Sequence, residues 1–219
     1  DCFATFMAKP IEGEPGSAMH MHHSVVDIKT GKNIFSDKKG GETCLDPQIT
    51  SVVPLRDPRA SAVQFRYLWV TDREGLKLFD VTDLRNPVAL PEATVPLADA
   101  LRVYVARTYA YVAAKGEGLV ILDVTNPERP ALQQRVTFDG TLNDAEDVIV
   151  ASTNASLFAY VADGKNGLKV IQLTSPETQK NFYGFSPVPR PELIAWAKTP
   201  SAAKALSKGL DRDRAVDET

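Results

Sequence analysis

The three histidines of the chain, His20, His22 and His23, fall within four residues of one another in the stretch "GEPGSAMHMHHS". Imidazole nitrogen is a common ligand of divalent metals. Read as a strand, this stretch puts Ala18, His20, His22, Ser24 and Val26 on one face and Met19, Met21, His23 and Val25 on the other. Alternate strand residues stand about 6.5–7 Å apart at the backbone, so the rings of His20 and His22 can converge on one ion, or serve an ion and its phosphate separately. Glu12, Glu14 and Asp27 could add the carboxylate oxygens that magnesium or manganese favours. A hydrolytic triad has no support, because every histidine is already in this cluster. No G-x-S-x-G elbow, Walker loop or G-x-G-x-x-G is present either.

The elements available to position such a site are read from a repeat. "YLWVTDREGLKLFDVTDLRNP" from Tyr67, "YVAAKGEGLVILDVTNPERP" from Tyr111 and "YVADGKNGLKVIQLTSPET" from Tyr160 align by eye. Gly75, Gly118 and Gly167 each precede a leucine, at spacings of 43 and 49 residues, the range of β-propeller blades. Each unit reads as an aromatic and β-branched strand, a tight turn with glycine, a second strand apolar almost throughout, and a proline stop. Residues 100–107 and 146–152 supply a strand before the second and third hairpins, and 130–138 one after the second. The sequence therefore predicts a mainly β fold, a partial β-propeller of about three four-stranded blades. A plain β-sandwich would leave the recurring G-L-x-ϕ-ϕ-D-V-T cassette unexplained.

These cassettes, with "LVILDV" at 119–124 the nearest copy, resemble the LVIVD-repeat family over about residues 46–178. Gln172 departs from the pattern, standing where the first two copies have Asp80 and Asp123, so the aspartate reads as a turn cap. The resemblance implies a non-catalytic β-propeller repeat module for protein binding or scaffolding, in an extracytoplasmic or cell-surface setting. Closed propellers have roughly four to eight blades, so three leave sheet edges, before Tyr67 and after Thr178, open to a protein partner, further blades or a homo-oligomer.

The histidine stretch carries a second resemblance. "KPIEGEPGSAMHMHHS" (9–24), with "ATFMAKP" before it and "VVDIKTGKNIFSD" after it, closely resembles the nucleotide-binding signature of the glutamine synthetase family over the first 37 residues, especially its amine-ligating branch. Carried over, this makes His20 a metal ligand, puts His22 at the metal and ATP phosphate, Ser24 near the adenine and Gly16 beside the amino-acid substrate. Pro15 departs from the asparagine common in the family. The alternative function is thus an ATP- and Mg/Mn-dependent carboxylate–amine ligase, cytoplasmic and incomplete here. Otherwise no cofactor is expected.

Composition narrows the field further. A net charge of −3 with scattered lysines and arginines gives no drive toward nucleic acid. No apolar run approaches the ~18 residues that span a membrane. Cys2 and Cys44 could pair but form no framework, and the start lacks a methionine, as a fragment or processed form would. The loop 139–147 gathers acids without EF-hand spacing and reads as a solvated turn; Asn154 heads a sequon. After a proline-rich connector, residues 192–198 and 201–209 read as two short helices, with Pro191 at a first helical position and Gly209 beyond an end. The expected organisation is a 1–45 ligase-like segment, 46–178 blades, and a 179–219 connector, helices and charged tail.

Overall fold

The computed structural model describes residues 51–153, 156–177, 179 and 185–207. The chain divides between Thr50 and Ser51, and everything below concerns the second unit. Its elements are β1 (Ala60–Gln64), β2 (Tyr67–Asp72), β3 (Gly75–Asp80), β4 (Val88–Ala89), β5 (Val95–Pro96), β6 (Arg102–Ala106), β7 (Tyr109–Ala113), β8 (Leu119–Asp123), β9 (Ala131–Val136), β10 (Asp147–Thr153), β11 (Ser156–Ala162), β12 (Leu168–Thr174) and β13 (Glu192–Ala197). A 3₁₀ turn, Pro91–Ala93, separates β4 from β5. No helix among the described residues is long and apolar enough to cross a membrane.

The strands form three antiparallel meanders: β1–β2–β3 with β4 and β5 both on β3, then β6–β7–β8–β9, then β10–β11–β12–β13. The first strands of the sheets, β1, β6 and β10, neighbour one another along one side of the stack. This is the arrangement of propeller blades around an axis. In the first sheet the outer strand is broken in two, because Pro87, Pro91 and Pro96 interrupt "PVALPEATVP" and cannot donate to a ladder.

Period-two alternation, applied to strands covered on both sides, builds the core. In β7, Ala110 and Val112 join Trp69, Leu76, Leu78, Val103, Val120 and Leu122 in one buried cluster, between the first and second sheets. Tyr109, Tyr111 and Ala113 point the other way and meet Leu119, Ile121, Val148, Ala159, Val161 and Ile171, between the second and third. The two central strands of the middle sheet are thus sequestered on both faces, which is why "YAYVA" and "LVIL" are continuously apolar.

The repeat units coincide in register. The central hairpins close at Thr71 and Leu76, Ala113 and Leu119, and Ala162 and Leu168. Each inner strand is entered through the same backbone bond, from Arg59 N–H to Thr71 O, Leu101 N–H to Ala113 O, and Glu146 N–H to Ala162 O, all 2.8 Å. The aspartate of the cassette is a turn cap. Asp80 Oδ1 accepts from Thr82 N–H and Asp123 Oδ1 from Thr125 N–H, each at 2.8 Å. Glycine at the hairpin end is required by its neighbour: at Gly118 (φ +71°) a Cβ would stand 2.2 Å from Val136 O, and at Gly167 (φ +84°) 2.1 Å from Ala197 O. The outer strand passes too close for any side chain there.

Two expectations are corrected. Residues 192–198 are not a helix but β13, paired antiparallel with β12. The helix formers Glu192, Leu193 and Ala195 yield to the unpaired edge of β12, whose backbone groups need a ladder. Nor do residues 201–207 form a helix: Ala203 bridges to Gly164, and Leu206 N–H donates to Asp147 Oδ2 at 2.8 Å. This path repeats the earlier connector, where Ala145 bridges to Lys115. Residues 208 and 209 lie outside the described residues. Before Tyr67 and after Thr178 the sheets continue into β1 and β13, which are the end strands of the first and third sheets.

Burial of the middle sheet should dominate stability. Leu119→Ala, at a fully buried site, is expected to cost about 2–5 kcal/mol. Leu132→Ala, at a site 48% exposed, should cost less than about 0.5 kcal/mol. Chemical denaturation of the two variants checks the contrast.

Candidate functional site

The charged side chains inside the stack are engaged with one another, while Trp69 Nε1, Tyr111 Oη and Thr174 Oγ1 are buried without a hydrogen-bond partner. Asp72 and Asp163 occupy the same register position, one residue beyond the hairpin pairs above, and both are fully buried. Each faces a lysine of the next strand: Lys77 Nζ lies 2.6 Å from Asp72 Oδ2, and Lys169 Nζ lies 3.9 Å from Asp163 Oδ2. The distance separates their behaviour. Burial pushes the Asp72 carboxyl up, but the hydrogen bonds from Lys77 and from Glu74 N–H outweigh it and hold the group below the usual carboxylate range. At Asp163 burial wins and the pKa is raised, although Oδ1 accepts from Asn143 and Asp144 N–H at 3.2 and 2.7 Å. The middle sheet has Ala114 and Val120 at the two positions, and both are buried.

The acidic loop 139–147 is likewise committed. Lys115 Nζ donates to Asp144 Oδ1 at 2.9 Å and to Glu146 Oε1. Asp147 accepts from Leu206 N–H and pairs with Arg102 Nε at 3.3 Å, joining neighbouring inner strands. Among the described residues no group of three or more His, Cys, Asp or Glu could hold a metal ion. The loop expected to be a solvated turn is instead an ion-paired joint between the second and third sheets.

What remains is surface. On the third sheet, Phe158, Tyr160, Leu168, Val170 and Gln172 point away from the second sheet and belong to neither buried cluster. All five are half-buried. Beside them the outermost strand presents Ile194 and Trp196, the latter 67% exposed. On the far side of the first sheet, Val63 is 67% exposed. In the same sheet Val53, Pro54, Leu55, Leu78, Phe79, Ala89, Leu90 and Pro91, with Lys77 and Thr94, line a cleft of about 270 Å³. The described residues thus hold a half-buried apolar face on the third sheet, while on the far side of the first sheet Val70 and Phe79 are already buried and a small cleft is found.

His20, His22, Ser24 and Gly16, the residues predicted for metal and nucleotide, lie outside the described residues, as do Cys2, Cys44 and the sequon residue Asn154. The half-buried face of the third sheet was not singled out by sequence reasoning, which looked to strand edges. The available signal was the repeat itself, since the largely apolar strand of the third unit calls for a neighbour on each face and the described residues place a sheet on one of them.

Parts of the chain match two family models. Residues 98–137 and 144–176 match the LVIVD repeat. Residues 1–51 match the catalytic domain of glutamine synthetase. Over 44 residues the chain is 52% identical to the glutamine synthetases of Pyrococcus abyssi and Pyrococcus horikoshii, a stretch that is 20% of this chain and 10% of either relative. The chain therefore spans about a tenth of the length of the curated relatives it matches.

The Asp72 pair gives a pH dependence of definite sign. Its carboxyl sits below the ordinary 3.8 in the folded state. The stability it confers is therefore full above that value and lost as pH falls through the lower, folded-state value. Asp72→Asn should cost about 1–3 kcal/mol at neutral pH, and its melting temperature should fall less steeply than that of the parent on acidification below 3.8. Thermal unfolding of both proteins across that range measures the difference.

Proposed function

We propose that the chain is a non-catalytic β-propeller repeat module that binds or scaffolds protein, with the outward face of its third sheet as the contact surface. The single observation that carries this reading is the half-buried apolar face of Phe158, Tyr160, Leu168 and Val170 on the third sheet. The same positions in the first two sheets are covered by a neighbouring sheet. Exposed apolar surface of this regularity is the usual mark of an interaction site. The reading takes no cofactor and sets the protein outside the cytoplasm or at the cell surface, as the LVIVD resemblance implies. A photo-reactive residue placed at Val170 in cells should cross-link to a protein. The same residue at Gln134, on the exposed outer strand β9, should not. Equal labelling at both positions would sink the reading.

A second reading is favoured by one specific observation, the 52% identity of the N-terminal segment to glutamine synthetases. It makes the protein part of an ATP- and divalent-metal-dependent carboxylate–amine ligase of the cytoplasm. His20 and His22 would hold magnesium or manganese, with His22 also at the ATP phosphates, Ser24 near the adenine and Gly16 near the substrate. Titration calorimetry of ATP with manganese decides it. The reading requires binding heat that disappears in a His20→Ala, His22→Ala double variant, and heat absent from the parent chain would end it.

A further inference from the structure

The two ends of the strands carry different surfaces. At one end lie the turns 73–74, 115–117 and 164–166, with the connectors 97–101 and 139–146. None of these holds a large exposed apolar side chain among the described residues. Their charges pair close by: Glu74 with Lys77, Glu117 with Arg135, and Lys115 with Asp144 and Glu146. At the other end lie the turns 65–66 and 107–108, the loop after β3 and the connector into β13. Here Phe65 is 91% exposed, Phe185 76%, Leu84 70% and Val188 51%.

Phe65 is held there against its own backbone preference. Gln64 and Tyr67 close a two-residue turn, and its first residue, Phe65, has φ +55°. Glycine and asparagine adopt that conformation readily, and a bulky side chain does not. The matching turn of the second sheet has Arg107 at φ +55°. The two turns touch, because Gln64 Nε2 donates to Arg107 O at 2.8 Å. The Arg107 guanidinium in turn lies 5.8 Å from the centre of the Phe185 ring. Thr108 Oγ1 donates to Ser186 Oγ at 2.6 Å and fixes that connector in place. Phe65, Arg107 and Phe185 are thus brought together from three separate parts of the chain.

The acids of this end are already engaged. Asp80 and Glu128 meet Arg66 at 2.9 and 3.0 Å, and Asp80, Asp83 and Asp123 accept from turn N–H groups. Arg85, Arg107 and Arg129 have no carboxylate partner among the described residues. What this end offers is therefore a set of separate apolar tips with guanidinium groups between them. A protein interface gathers its apolar residues into one contiguous packed core. A bilayer surface is fluid and accepts separate apolar knobs at the acyl boundary, with arginines left at the phosphates. We propose that this end of the stack seats on the surface of a lipid bilayer, Phe65 and Phe185 entering the acyl boundary and Arg107 meeting lipid phosphate between them. The contact uses different residues from the third-sheet face and does not depend on it.

Flotation of the full chain with vesicles of phosphatidylcholine and phosphatidylglycerol tests this. The parent should float with the vesicles, and less so as salt rises. Phe65→Asn with Phe185→Ser should lower the partition coefficient about a hundredfold, roughly tenfold for each phenylalanine. Asparagine tolerates the φ of position 65, so Phe65→Asn alone should not lower the melting temperature, which separates lost docking from lost folding. Arg107→Gln should weaken binding to the mixed vesicles more than to pure phosphatidylcholine. Ile194→Ser, on the outer strand β13, should leave flotation unchanged. A parent that stays in solution, a double variant that floats as well as the parent, or an equal loss with Ile194→Ser would each overturn the proposal. So would an Arg107→Gln effect that is the same on both lipids. The cross-link from Val170 to a protein is read separately and stands or falls by itself.

Discussion

Everything in this chain depends on the fact that its central strands are apolar on both faces. Tyr111 and Val112, adjacent in β7, are both fully buried, one against the third sheet and the other against the first. A strand of this kind cannot form the outside of anything. It obliges a sheet on each side, and each of those sheets, built from a copy of the same sequence unit, carries the obligation onward. The stack of three is the minimum in which one sheet has its demand met in full.

Polar groups follow from that demand. Removing the hairpins from water strands their backbone and any side chain near the turn, so each acid in the interior arrives with a partner. Asp72 has Lys77, Asp147 has Arg102 and Leu206 N–H, and Lys115 has Asp144 and Glu146. These bonds span inner strands or close hairpins rather than converging on a shared point. A site for chemistry needs groups aimed at one vacant position; among the described residues these charged groups are aimed at each other.

Much of this was legible in the sequence, for a physical reason. A repeated glycine-leucine step ahead of a wholly apolar run admits few structures other than stacked sheets, and the three central hairpins stand where Gly75, Gly118 and Gly167 placed them. The turn-capping role of Asp80 and Asp123 was legible too, because Gln172 showed that the position tolerates its loss. What failed was the segment after the third repeat. "ELIAWA" has good helix formers, and nothing local in it reveals that β12 stands waiting with an unpaired edge. Strand β1 escaped notice for the same reason, since "ASAVQ" is weakly apolar and becomes a strand by pairing with β2. The half-buried face of the third sheet was missed because sequence reasoning counts strands in a sheet more readily than sheets in a stack.

The distribution of the buried charge pair has a bearing on how such a chain can be cut and rejoined. Lysine and aspartate lie on one hairpin in the first and third sheets, and alanine and valine replace both together in the second. A crossover that exchanged single strands between units would strand a lysine opposite alanine, at the expense of an uncompensated charge inside the protein. One that fell in the linkers between sheets would move each acid with its base. The tolerated exchange points are therefore the loops between blades, and the hairpin is the indivisible piece of heredity in this architecture.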